Sequence, residues 1–551
     1  MIYPLLQIPP HRSEGVLKIV GIARNQRTFS HKVRPSLPSY RPHRVLTLCD
    51  PDESDRDVTT ISTLPDDVLL DVFDFCRMDE DYAIHCAIHC PQDRNSCRNL
   101  SWDSWEWHLL VHVCRRWREL VFTSPRRLNL RIPCTRRTLV GKNLGIWPAL
   151  PIDVDDRDDL SKITQKDNIL TALKHVNRVY HIRLTFTDMQ VGRMAGAMQE
   201  PFPVLKRLFL RLFVTSGRHE DVPVLPTQLL GGSAPRLQAI GLCNISYPAL
   251  PTLLLSTNDL VRLDLKNIPG NGYISPEAMV ASLAALPKLE IFVMQFRSHI
   301  YLPDRISPPP VTRTILPALA YFVFRGHSEY LEDLLGRIDG PSLNHISITT
   351  LYRHVGFQVA QLSRFIDQSV GPELAQCRHA EVSFSHRFYR TVTFSFCHRP
   401  DDPGQDRTTV ITYEGINLEA TEILRQIPVT LSNVVHLQIT YSLEMPPSTY
   451  ITVDPSIQLF QLIRQFSAVQ TLLIDSKLSE FVASILGHIP EAMMTEALPS
   501  LELLCLEEYC QHSVQLDKLV AARQHSDRPV TIVNTKKEFM EMLESYTNTN
   551  E

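Results

Sequence analysis

At 551 residues the chain is long enough to bury more than one core, so two or more structural units are expected. A net charge of −4, with 44% hydrophobic and 21% charged residues, is ordinary globular composition and gives no reason to expect nucleic acid or membrane as a partner. No apolar run approaches the length of a membrane span. Its 12 cysteines follow no repeating framework, which suits a reducing compartment, so a cytoplasmic or nuclear location is expected.

Residues 1–48 carry Arg12, Lys18, Arg24, Arg27, Lys32, Arg34, Arg41 and Arg44 against one acid, Glu14. Pro9, Pro10, Pro35, Pro38 and Pro42 break any long helix, so a disordered basic tail is expected rather than an organelle transit peptide. Residues 50–57 turn acidic and read as a solvated linker, which extends the tail to residue 57.

The stretch Leu64-Pro65-Asp66-Asp67-Val68-Leu69-Leu70-Asp71-Val72-Phe73 predicts a short helix. Pro65 suits a helix start because its missing N–H belongs to the first turn. Asp66 and Asp67 place negative charge at the positive end of the dipole. Val68, Leu69, Val72 and Phe73 recur at helical spacing. A second amphipathic helix is expected to turn Leu109, Leu110, Val113, Trp117, Leu120 and Val121 inward and Arg115, Arg116 and Arg118 outward, with Ser124-Pro125 stopping it.

Between these helices, residues 77–104 form a long insert with a polar part at 92–99 that reads as disordered. The insert contains His85, Cys86, His89, Cys90 and Cys97. A mixed set of this kind suits zinc, but the usual C-x-x-C knuckle is missing and chance clustering is the better account, so no metal is expected. Trp105, Trp107 and Leu109 are expected to pack beside the two helices.

Farther on a short phrase recurs: an apolar residue, two variable positions, an apolar, one variable, an apolar. Its copies begin at Val179, Leu205, Leu237, Leu260, Leu289, Leu319 and Leu343, then at Val434, Val469 and Leu501. A proline sits two positions ahead at Pro203, Pro235, Pro287, Pro317, Pro341 and Pro499. Alternation within the phrase predicts a short strand with one buried side. Such strands cannot bury their apolar edges alone and must stack on neighbours. Intervening stretches such as 276–283 predict short helices as an outer layer. Residues 385–403 read as a loop or a hairpin insertion, and residues 446–454 as an interruption.

The segment from Leu64 to Phe73, with Val113-Cys114-Arg115-Arg116-Trp117-Arg118-Glu119-Leu120 and the closing Ser124-Pro125, resembles the F-box. That module docks onto the Skp adaptor of cullin–RING ubiquitin ligases. The resemblance implies an adaptor-facing surface, or the core beneath it, built from Leu64, Pro65, Leu69, Val72, Phe73, Val113, Trp117 and Leu120. Trp117 serves either as an anchor of that contact or as a core residue of the module. The insert departs from the family's short connection and leaves the place of its middle helix open. The recurring phrase is similar to a degenerate leucine-rich repeat, with a doubly wound α/β fold as the rival.

The expected fold is therefore α/β: a helical F-box module at 58–130, a linker or packed spacer at 131–164 around Trp147, an irregular leucine-rich-repeat solenoid at 165–535 and a tail at 536–551. Residues 153–159 are expected to be acidic and exposed. An F-box followed by such repeats is similar to substrate-receptor subunits of SCF ubiquitin ligases, which recruit a protein substrate and perform no chemistry. The alternative is a repeat scaffold not coupled to ubiquitination. No phosphate loop, G-x-S-x-G or H-E-x-x-H occurs, so neither catalysis nor a cofactor is expected. Substrate would meet the variable strand positions: Arg207, Phe209 and Arg211, then Arg262, Asp264 and Lys266, then Tyr321 and Arg325, then His436, Gln438 and Thr440. The arginines suit an acidic or phosphorylated peptide.

Overall fold

The computed structural model describes residues 61–75, 110–125, 127–135, 144, 150–156, 166–213, 222–297, 313–351, 360–369, 377–386, 390–397, 408–415, 433–443, 463–476, 478–479, 498–506, 521, 523–524, 529–539 and 542. Two units partition the chain, Met1–Leu130 and Arg131–Glu551. The 77–104 insert, its His/Cys set, Trp105, Trp107, Leu109 and Trp147 lie outside the described residues, as do the tail at 1–57 and residues 446–454.

In the first unit, helix α1 (Asp66–Phe75) begins directly after Pro65, whose carbonyl accepts the Leu69 N–H at 3.0 Å. It buries Leu69, Leu70 and Phe73 but leaves Val68 38% exposed, so the apolar stripe is narrower than the spacing predicts. Helix α2 (Arg115–Thr123) is capped by Cys114, whose Sγ accepts the Trp117 N–H at 3.4 Å. Trp117, Leu120 and Val121 are buried, and the Trp117 ring meets Phe73 edge-on with centroids 4.7 Å apart. Trp117 is thus a core residue of the helix pair. Val113 precedes the cap and is 59% exposed, not inward. The reason is the cap itself: the helical period does not run back through Cys114, and residues 111–113 form a turn.

Arg116, expected to be a solvated side chain, instead ties the two helices together. Its guanidinium donates to Asp66 Oδ1 at 2.9 and 2.6 Å and to the Leu64 carbonyl at 2.6 Å. Arg127 pairs with Asp71 on the same helix. Both contacts hold α1 through its charged residues, while Phe73 and Trp117 hold it through its apolar face.

The second unit is built on one large sheet. Its strands are β1 (Ile132–Cys134), β2 (Ile152–Asp156), β3 (Val179–Thr187), β4 (Arg207–Phe213), β5 (Ala239–Cys243), β6 (Arg262–Ile268) and β7 (Ile291–Phe296). After the short β8 (Thr314–Ile315) come β9 (Tyr321–His327), the short β10 (Ile338–Asp339) and β11 (His345–Leu351). Then follow β12 (His379–His386), β13 (Arg390–Cys397), β14 (Thr408–Gly415), β15 (His436–Leu443), β16 (Thr471–Ile474), β17 (Leu503–Leu506) and β18 (Thr531–Val533). β8 and β10 pair only with each other; the remaining 16 strands form an open sheet with β1 and β18 at its ends. β1 and β2 come from the stretch expected to be a spacer. Within it Asp153 is buried and paired with Arg131 at 3.4 Å, contrary to the expected exposure.

From β1 to β11 the sheet strands are parallel and adjacent in chain order. This order has no reversal, unlike a doubly wound sheet. The order breaks once. β12, β13 and β14 make an antiparallel meander, with β14 parallel to β11 and β12 parallel to β15. Of the segment expected as a loop or a hairpin insertion, Ser385–His386 and Arg390–Cys397 lie in the antiparallel pair of β12 and β13.

All ten copies of the phrase lie in this sheet or lead directly into its strands, and their three apolar residues are each at most 5% exposed. They align across strands: Leu208 opposes Ile240, Leu263 opposes Phe292, and Phe292 opposes Phe322. Among the described residues the α-helices of this unit are α3 (Lys166–Leu173), α4 (Asp188–Gly196), α5 (Leu250–Leu254), α6 (Pro276–Leu283), α7 (Ser328–Leu335) and α8 (Ala360–Ser369). Their buried residues, such as Met194, Leu253, Met279, Leu334 and Phe365, join the phrase residues in one core, which places the helices on one face of the sheet.

Each proline ahead of a phrase occupies the second position of a tight turn. Leu205 N–H reaches the Phe202 carbonyl at 3.2 Å, and Leu237 that of Ala234 at 3.1 Å. The same bond recurs from Leu289 to Leu286 at 3.2 Å and from Leu501 to Leu498 at 3.1 Å. Proline's fixed φ suits that second position. Replacing Phe292, fully buried between Leu263 and Phe322, by alanine is expected to cost about 3–5 kcal/mol. The exposed Met189→Ala is expected to stay within about 0.5 kcal/mol. Urea-denaturation midpoints of the two variants test the difference.

Candidate functional site

Because side chains alternate along a strand, the residues between the phrase's apolar positions share the face away from the helices. The register arranges them in rows. One row runs His181, Arg207, Ala239, Arg262, Ile291, Tyr321, His345; the next runs Arg183, Phe209, Gly241, Asp264, Val293, Val323, Ser347. A third begins with Arg211 opposite Cys243 and Cys243 opposite Lys266; the register then shifts between Leu265 and Ile268, and beyond the shift Arg325 stands opposite Gln295. The expected residues of β4, β6 and β9 therefore do share one face, on alternate strands.

Their environments differ. Arg207 is buried and Asp264 is buried, so neither is the open contact residue expected from its position. Asp264 Oδ2 accepts from Arg262 at 3.0 Å and from Lys266 at 2.9 Å, which gathers two cations of β6 around one carboxylate. Its Oδ1 has no hydrogen-bond partner. Arg211 is exposed and has no ion-pair partner among the described residues. Tyr321 stacks on the His345 ring at 4.2 Å with planes 8° apart, and burial raises its hydroxyl pKa.

Phe209 lies across the neighbouring strand. A Cβ at Gly241 would sit 2.3 Å from Phe209 Cδ1, so the ring occupies the space left by the missing side chain. Arg183 rests over the same ring, with its Cζ 5.3 Å from the centroid. β5, with Ala239, Gly241 and Cys243, forms a low strip between the long side chains of β4 and β6.

Beyond β9 the face changes character. Thr349, Thr412, Thr393, Ser383 and Thr440 align across five adjacent strands. Thr393 and Thr412 are 3.1 Å apart at their hydroxyls, and Ser383 and Thr440 2.8 Å. Thr440 also donates to Glu381 at 3.2 Å. In the row of Arg207, His379 stacks on His436 at 4.4 Å, and His436 Nδ1 lies 2.7 Å from Thr471 Oγ1. Gln438 stands opposite Glu381 and Leu473. At the end of the sheet Leu473, Leu503, Cys505 and Val533 form a second small core with Phe539, and Met542 packs against it. Residues expected as a tail thus cover this end of the face.

Sequence reasoning missed the hydroxyl row and this closure, although both left signals. The hydroxyls alternate with apolar residues in Arg390–Cys397, and Leu473, Leu503 and Cys505 put apolar residues at the phrase's variable positions. Among the described residues no group of three His, Cys, Asp or Glu side chains is placed to hold a metal ion, and no helix is long and apolar enough to cross a membrane.

No family model and no curated protein sequence matches this chain.

Gly241→Ala is expected to destabilise the protein by pushing Phe209 aside. A Phe209→Ala change should relieve part of that cost, giving a coupling of about 0.5–3 kcal/mol in a double-mutant cycle. Additive effects would show that the ring does not depend on the glycine. His436 gives a pH prediction. Burial first, then His379 and Arg378, lower its pKa from 6.5 to about 4. The unfolded chain therefore binds more protons in that window. The contribution is fully present above pH 6.5 and is lost as pH falls towards about 4. In melting temperature measured against pH, His436→Gln should flatten this acid limb.

Proposed function

We propose that the chain is a non-catalytic substrate-receptor subunit of an SCF-type cullin–RING ubiquitin ligase. The first unit docks a Skp-type adaptor as an F-box, and the second recruits a protein substrate as a degenerate leucine-rich-repeat solenoid. What carries the reading is the in-register stacking of ten L-x-x-L-x-L-type phrases behind a Leu-Pro-led helix packed on a V-C-R-R-W-R-E-L helix. Parallel strands in chain order, with helices on one face and an open face opposite, are what such repeats build. Asn244 adds support: its side-chain Nδ2 donates to the Leu212 carbonyl at 3.2 Å, one rung of the asparagine ladder that stricter repeats contain.

The adaptor-facing assignment narrows to what solvent reaches. Pro65, Val68 and Val113 are exposed, Leu64 and Val72 are partly so, and Leu69, Phe73, Trp117 and Leu120 support them from the core. Exposed apolar side chains close to a docking helix are the natural contact, since burying each is worth about 1.5–3 kcal/mol. The partner provides the chemistry, and this chain provides position.

The test is capture of a purified Skp-type adaptor by the full chain. Val113→Glu is expected to abolish capture with circular dichroism unchanged, because Val113 is 59% exposed and precedes the cap of α2. Trp117→Ala is expected to lose capture through unfolding of that pair. A folded wild-type chain that captures no adaptor refutes the ligase reading and leaves a repeat scaffold.

A further inference from the structure

On β4, β6 and β9 the positions facing away from the helices carry five Arg or Lys residues and one acid, Asp264. These strands are every second strand of the sheet. Neighbouring strands are about 4.8 Å apart, so equivalent positions on β4, β6 and β9 repeat at about 9.6 Å. Arg211, Lys266 and Arg325 are the outermost cations on those three strands: Arg211 and Lys266 align through Cys243, and Arg325 follows opposite Gln295, across the register shift between Leu265 and Ile268. A ligand that uses all three must present anions at that interval.

An extended β-strand presents one side every two residues, about 6.7 Å, and does not match. A polyproline-II helix has three residues per turn and rises about 3.1 Å per residue, so every third side chain returns to one side at about 9.3 Å. Aromatic surface for such a ligand comes from the half-buried Phe209, two residues before Arg211 on the same face, whose ring edge fills the space above Gly241. Charge decides the kind of anion. Arg207 is buried and Asp264 already pairs with Arg262 and Lys266, so along the outer edge each strand offers one cation, which suits a carboxylate better than a dianionic phosphate.

The geometry points to a docking track on this face for a proline-rich acidic segment in polyproline-II form, with Asp or Glu at every third residue. The segment crosses β4 to β9 at right angles to the strands, its carboxylates meeting Arg211, Lys266 and Arg325 in turn. This inference rests on reading the face as the substrate-recruiting surface.

The experiment uses the full chain and two fluorescein-labelled peptides of equal composition in anisotropy titrations. One is Glu-Pro-Pro-Glu-Pro-Pro-Glu, and the other places its glutamates at alternate positions, Glu-Pro-Glu-Pro-Glu-Pro-Pro. The first is expected to bind at least about fivefold tighter, a modest share of one charge-assisted contact. Arg211→Glu should weaken it at least about tenfold, as reversing one partner of a charge pair does. Arg211→Gln serves where the reversal disturbs folding and should give a smaller loss in the same direction. Equal binding of the two peptides, indifference to both Arg211 variants, or displacement by an equimolar single-stranded oligonucleotide overturns the inference, the last assigning the face to nucleic acid. Adaptor capture on the same sample separates the two readings. Capture without peptide binding overturns the track alone, and peptide binding without capture overturns the ligase assignment alone.

Discussion

Everything in the second unit depends on strands that cannot bury their own sides. Each phrase offers three apolar residues, and each of those residues reaches near-complete burial only because its neighbours stand in register beside it and helices lie over it. The alignment persists where the chain order fails. Ile348 meets Ile411, Ile411 meets Phe394, Phe394 meets Val382, and Val382 meets Ile439, so an apolar column crosses the antiparallel meander without a break. A slip of one residue would turn every apolar side chain outward. Register therefore also decides which residues form the opposite face, and the basic and aromatic rows are its complement.

How much of this was legible depended on whether the signal was local. The phrase is local, and its ten copies give ten strands of the sheet. β1, β2 and the meander were less visible because they lack the full phrase, though Val392, Phe394 and Phe396 alternate in a way that announces a strand. The burial of Arg207 and Asp264 was not legible. Arg207 stands between His181 and Ala239 and Asp264 between Gly241 and Val293, neighbours that only the sheet's register brings together. The clamp of Arg116 on Asp66 joins residues 50 apart, and no periodicity carries that information. Val113 was misplaced because cysteine is not among the residues that ordinarily mark a helix cap, so the boundary at Cys114 left no trace in composition.

The opposite face is not uniform, and its zones differ in what they admit. Towards β4 it is charged and aromatic, in the middle it is lined with hydroxyls bonded to one another, and at β16 to β18 it is closed by Phe539 and Met542. A ligand meeting this surface finds its charged contacts near the beginning of the sheet. The hydroxyl row is already largely satisfied internally, so it offers shape more than new hydrogen bonds. Specificity of the kind proposed thus rests on few residues, most of them on β4 and β6.

The meander also sets an order of events in time. Strands up to β11 find their partners among segments already made, so each new rung has an edge to join as it leaves the ribosome. β11 does not. Its outer partner is β14, and β12 and β13 must be synthesised first. At about 5–20 residues per second that edge, with its unpaired backbone groups, waits several seconds for cover. β12 in turn waits for β15. The nascent chain therefore carries a sticky intermediate at one defined point of its synthesis, which is where a chaperone would have most to protect.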